Sequence, residues 1–201
     1  MAFDTYMAFI PPSGTALTGE SQVATGAFTN DTLAKGTSPD PALTAGTVFE
    51  IDDFSFDIEQ VLNIGSQSSG AGAGKVTFNP FQITRKTDRI SPTLFAMCCG
   101  GQHFKQVVLC LRRAGGDTAT SGTTFLRFDF GLVAVKTISW SGSDGDESPK
   151  EEVTFEYGAL KVQYQQQDVT GGTKGGVVPG SWCRVTNTTD FNGFVQKFAA
   201  T

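Results

Sequence analysis

The sequence predicts a mainly β protein, an antiparallel β-barrel of about six to eight strands with one short α-helix packed against it. Three observations carry that expectation. Seventeen Phe and 24 Gly among 201 residues, without long polar helical runs, favour strands and turns over a helix bundle. Apolar and polar residues alternate with a period of two over several long runs. Glycines and prolines then cut the stretch 70–116 into strand, short helix and strand.

Taken in order, residues 3–10 form a short apolar strand that Pro11 and Pro12 end, because proline cannot donate to a ladder. Residues 13–47 are rich in Gly, Thr, Ala, Ser and Pro, with little periodicity. They predict a long, mobile loop, and its part over 22–46, with Val23, Phe28, Leu33 and Leu43 scattered among turn formers, is expected to order only on assembly. The run 48–60 alternates, with Phe54, Phe56 and Ile58 on one face and Ser55, Asp57 and Glu59 on the other. At about 3.3 Å per residue it predicts one strand of roughly 40 Å, long enough for a barrel wall.

A glycine loop ending at Gly74 leads into a strand over 75–86. Ser91 is the expected N-cap of a helix with Pro92 in its first turn, stopped by Gly100 and Gly101. Residues 103–113 resume alternation, with Val107, Leu109 and Leu111 opposite Val108, Cys110 and Arg112. Residues 123–141 set Phe128, Phe130 and Leu132 against Arg127 and Asp129. A turn cluster at 141–146 joins them to a hairpin partner over 151–166, where a bulge is expected at Gly158 and Ala159. After a glycine loop at 171–180, residues 182–185 add a short final strand.

Several functional classes are set aside. A formal net charge of -5 with no basic cluster argues against nucleic acid as partner. No window matches the apolar run that spans a bilayer, and the start, Met1, Ala2, Phe3 and Asp4, lacks a signal peptide's pattern, so the cytoplasm is the expected location unless a machine exports the chain. Cys98, Cys99, Cys110 and Cys183 offer no C-x-x-C pair and read as reduced, small core residues. His103, the only histidine, sits at a strand start and reads as structural rather than as a general base. No convergent set of metal ligands is visible. The glycines before Lys75 fail as a phosphate loop, since Ser69 stands where glycine is needed and Val76 where Ser or Thr is needed. Asp144, Asp146 and Glu147 fit a solvated turn better than a calcium loop. The carboxylate pairs Asp52 with Asp53 and Asp57 with Glu59 fit exposed strand faces, and no catalytic, cofactor or metal residue is assigned. The protein is therefore expected to work through its surfaces and not as an enzyme.

Several motifs occur together: the run from Gly72 to Val76, Asp88 followed by Ser91, Pro92 and Leu94, then Cys99, Gly101 and His103, and the exit Arg113, Ala114, Gly115 and Gly116. In this set, and at Gly19, Glu20 and Ser21, at 54–56 and at 162–164, the chain resembles the hemolysin-coregulated protein (Hcp) family, the tube subunits of bacterial type VI secretion systems. The resemblance implies one domain over 1–201, with a loop insertion at about 22–46 and an extra tail at about 190–201. It implies a homo-hexameric ring, stacked rings, sheath and spike partners, effector cargo in the lumen, and secretion through the apparatus. It places Ile64, Gly70, Gly72, Gly74 and Lys75 in a ring-stacking loop, and Ser55, Asp57 and Glu59 on the channel wall. Alternation alone leaves the last three facing either the lumen or outer solvent. The sticky tail, with Phe191, Phe194, Val195 and Phe198, is expected to pack on a neighbour. Alternatives are a phage-type tail tube protein, a carbohydrate-binding β-module with an exposed aromatic platform, or a small hydrolase with a pocket around His103.

Overall fold

The computed structural model describes residues 3–63, 72–114, 122–168 and 173–199. In chain order the elements are β1 (Phe3–Ile10), α1 (Thr32–Lys35), a 3-10 turn (Ala45–Thr47), β2 (Phe49–Glu50), β3 (Asp53–Ser55), β4 (Ile58–Asn63), β5 (Gly72–Phe78), β6 (Phe81–Lys86) and α2 (Ser91–Gly100). There follow β7 (His103–Ala114), β8 (Gly122–Ser141), β9 (Lys150–Gln167), β10 (Thr173–Cys183) and α3 (Phe191–Gln196). Eight strands share one antiparallel sheet in the order β2-β1-β7-β8-β9-β6-β3, with β10 also paired to β9. β9 carries β8 on one edge, and its other edge is divided between β6, opposite Lys150 to Phe155, and β10, opposite Ala159 to Gln167.

The sheet curls because one run of chain joins its two rims. Phe49 and Glu50 pair with β1, whereas Asp53 to Ser55 pair with β6. Between them, Ile51 N–H donates to Thr5 O at 3.2 Å and Asp52 N–H to Thr84 O at 2.9 Å. The single long strand expected over 48–60 is thus three short ones. Alternation survives in the side chains while the backbone changes partner twice, first across this seam and then at Asp57, whose carbonyl accepts Asn79 N–H at 3.1 Å. Likewise the run 75–86 breaks at Asn79 and Pro80, where proline has no ladder donor.

Inside the curl lie Phe9, Phe49, Phe81, Phe104, Phe130 and Phe155, all fully buried, with Phe81 stacked on Phe130 at 4.4 Å. Each contributes about 1.5–3 kcal/mol by leaving water. Tyr157 is buried among them with no acceptor for its hydroxyl among the described residues, and burial pushes its pKa up to about 12. A phenol that ionises near 10 in the unfolded chain but near 12 in the folded one stabilises fully below pH 10. That contribution, up to roughly 3 kcal/mol, is lost as pH rises through 12. Tyr157→Phe is expected to leave stability at pH 7 within about 1 kcal/mol and to flatten the decline above pH 10, as read by urea unfolding across pH.

α2 begins at Ser91 rather than after it. Ile90 holds the cap position, Asp88 Oδ1 accepts Ile90 N–H at 2.9 Å, and Asp88 N–H donates to Ser91 Oγ at 3.2 Å, so the expected cap residue is the first helical one. Gly101 closes the helix with φ 61°, a left-handed turn that favours glycine. On the inner face of β9, Leu160 succeeds Tyr157, so the parity change expected at Gly158 and Ala159 is present. It is not a register bulge there. The ladder with β8 is unbroken and the partner shifts in step, with Leu132 at φ 51° leaving the inner face that Phe130 and Val133 occupy. The register slips instead between Val135 and Thr137.

The outer face of the sheet is covered by the chain itself. Residues expected to form a mobile loop pack there, with Ala27, Phe28, Ala34 and Leu43 buried against Tyr6, Ala8, Val108 and Cys110. The tail likewise packs on its own sheet rather than awaiting a neighbour: Phe191, Phe194 and Val195 are buried with Ala159 and Cys183. This approach needs Gly131, because a Cβ there would lie 2.6 Å from Val195 Cγ2. All four cysteines are free, and only Cys110 and Cys183 are core residues; Cys98 is half-buried and Cys99 exposed. The final strand also runs earlier and longer than the expected 182–185, as β10.

Candidate assembly surfaces

β4 and β5 form a separate two-stranded arm, with Ile58 opposite Phe78, Glu59 opposite Thr77 and Gln60 opposite Val76. The expected loop over 61–74 is therefore shorter. Gly72 and Gly74 belong to β5, where Gly72 pairs with Asn63, and Lys75 is an exposed residue of the same strand. Ile64 and Gly70 lie outside the described residues.

Ser55, Asp57 and Glu59 are all exposed but sit on three different pieces of chain: β3, the link after it, and β4. Ser55 pairs with Gln82 across the ladder, and Asp57 Oδ2 accepts Asn79 Nδ2 at 2.6 Å. Small and acidic groups alternating along an exposed edge make a wettable, unsticky surface.

α2 is bolted to the barrel by a buried cation. Arg85 donates from Nε to Glu151 Oε1 at 2.8 Å, from its two terminal nitrogens to Asp88 at 3.1 and 2.6 Å, and to Ser91 Oγ at 3.0 Å. Glu151, also fully buried, accepts Trp140 Nε1 at 2.8 Å on its other oxygen. At the helix surface Phe95 meets Trp140 at 6.1 Å between ring centroids.

A second buried cation moors the insertion. Arg127 forks onto Asp129 with 2.9 and 2.7 Å bonds and turns its remaining donors to Leu33 O, Ala34 O and Pro41 O. Burial opposes the charge, but Asp129 outweighs it and holds the guanidinium pKa above its usual value. Asp31 caps α1 through Ala34 N–H and accepts both the N–H and hydroxyl of Thr124. Lys161 reaches Asp40 of the insertion and Asn192 of α3. Sequence reasoning missed this centre. Arg127 and Asp129 read as the polar face of a strand, and only the presence of a long insertion hinted that this face is covered.

His103 meets Phe198 edge-on at 5.9 Å, a structural contact. Among the described residues no group of His, Cys, Asp or Glu side chains is arranged to hold a metal, and no helix is long and apolar enough to cross a membrane.

A family model described as the type VI secretion system effector Hcp matches residues 34–164. This chain belongs to the Hcp family. The curated protein hcp1 of Pseudomonas aeruginosa is 34% identical over 108 residues, which are 54% of this chain and 65% of that relative's length. Among solved structures, a type six secretion system protein superposes with TM-score 0.66 at 24% identity, covering 93% of this chain and 99% of the other. Hcp1 from Salmonella typhimurium does so with TM-score 0.61 at 23% identity, covering 94% and 99%. The chain shares the fold of both structures. The family match opens at Ala34, inside the insertion, and closes at Tyr164 on β9, so β10 and α3 fall wholly beyond it.

Proposed function

We propose that this Hcp-family protein is the tube subunit of a type VI secretion system. Six copies close into a ring, rings stack into a tube, and a contractile sheath expels tube and spike from the bacterial cytoplasm with effector proteins in the lumen. The match over residues 34–164, on a curled sheet with a separate two-stranded arm, is the observation that carries this reading. The protein is a building block and not an enzyme. Residues 1–201 act as one domain, with the insertion and tail as fixed parts of its wall. Mass measurement in solution tests the ring: six chains per particle with an annular outline in negative stain support it, and a lone protomer at high concentration removes it.

The arm supplies the stacking contact through Gly72, Gly74 and Lys75 of β5, with Ile64 and Gly70, outside the described residues, as the remaining stacking candidates. Ser55, Asp57 and Glu59 face the channel, where exposed small polar groups let cargo slide. Ser55→Arg should therefore leave ring mass unchanged and reduce co-purified cargo several-fold. Dissociated rings would make Ser55 an interface residue and end the channel assignment.

A further inference from the structure

Where β6 leaves β9 and β10 takes over its edge, the wall has a gap. Between the arm and β10 an open groove of about 610 Å³ exposes the inner face of the curl, lined by Ile58, Val76, Leu160, Val162, Gly180 and Trp182 among others. Among the described residues no charged side chain lines it. Its floor continues outward, because Val162 and Tyr164 share one face of β9 and their partners across the ladder are Gly180 and Val178. Ile58, Tyr164 and Val178 are 45%, 47% and 67% exposed. Trp182 Nε1 is buried there without an acceptor among the described residues.

The chain also carries a shape that fits such a groove. Phe95 and Trp140, 51% and 47% exposed, project together from α2 and the end of β8. The Trp140 bond to buried Glu151 presents this pair as a fixed knob. Trp140 lies opposite Glu151, and Val162 is eleven residues further along β9, so knob and groove are on the order of 35 Å apart. That separation keeps them from covering each other within one chain. Two unlike apolar surfaces on one molecule, each uncovered by the described residues, suit a head-to-tail contact, the kind from which rings are built.

We infer that the groove between the arm and β10 receives the Phe95–Trp140 knob of a second copy of this chain. The inference rests on the ring reading above and names the surfaces that meet. Aromatic anchors entering an uncharged socket have the composition of an interface centre, and an incoming carbonyl satisfies the Trp182 N–H.

Two variants test it. Phe95→Asp disables the knob while keeping the Trp140 bond to Glu151 and the groove; Gly180→Phe plugs the groove, where a Cβ meets nothing within 4 Å, and leaves the knob. Ile58→Asp is a second groove variant should the plug disturb folding, which circular dichroism reports. Each variant alone is expected to run as a monomer by mass photometry. Mixed, knob-dead and groove-dead chains retain one good contact between them and should form a heterodimer that grows no further. Rings from either variant, or a mixture that stays monomeric, overturn the pairing while a wild-type ring leaves the tube reading standing. A monomeric wild type overturns both.

Discussion

Arg127→Met is expected to lower folding stability by about 3–5 kcal/mol, because it strips the cation from a fully buried carboxylate. Asp129 would keep only the Gln106 Nε2 bond at 2.8 Å, and the carbonyls of Leu33, Ala34 and Pro41 would lose their shared donor. The change reaches further than a typical core truncation, because those carbonyls belong to the insertion. Loss of this mooring should expose residues 22–46 to limited proteolysis at protease levels that spare the native protein. Arg127→Lys should recover little, since an ammonium cannot reproduce a planar fork that engages a carboxylate with two bonds while reaching three carbonyls. A urea midpoint shifted by less than about 1 kcal/mol, with unchanged cleavage, would show that apolar packing alone holds the insertion.

Arg85→Met is expected to be nearly as costly, again about 3–5 kcal/mol, with a different signature. One guanidinium serves two carboxylates, Glu151 with no exposure and Asp88 with 18% of its side chain exposed. Without it Glu151 keeps only the Trp140 N–H and stays buried with no cation beside it. Adding Glu151→Gln to Arg85→Met should therefore recover part of the deficit, read as paired urea curves. No recovery would mean that lost packing, not an orphaned charge, dominates. Because Arg85 also ties Asp88 and Ser91 at the start of α2, the variant should loosen that helix, visible as faster amide exchange over Ser91–Gly100.

These two arginines mark where the sequence could and could not be read. Long strands announce themselves because alternation is local: Val107, Leu109 and Leu111 fall inside the curl, as their spacing implies. The helix is equally plain from Pro92 and the glycines that end it. What alternation cannot reveal is the identity of whatever lies on the other face. Arg127 meets its carbonyl partners 94 and 93 residues away, and nothing in either segment distinguishes a solvated arginine from a moored one. The same blindness made one strand of 48–60, since side chains keep alternating while the backbone crosses from rim to rim. The arm's ends, Ile58 opposite Phe78, followed from glycine placement only approximately, because Gly72 and Gly74 serve within a strand. Proline at 80 did hold a legible signal, the missing donor that separates β5 from β6.

The seam at Ile51 and Asp52 sets a schedule for synthesis. Its first anchor, Thr5, leaves the ribosome early, whereas the second, Thr84, belongs to a strand that joins the wall only through β9, beginning at Lys150. Until β9 has been translated the curl stays unzipped, with its phenylalanine lining open to solvent. A translational pause before the codons for β9 would thus lengthen the period of greatest aggregation risk.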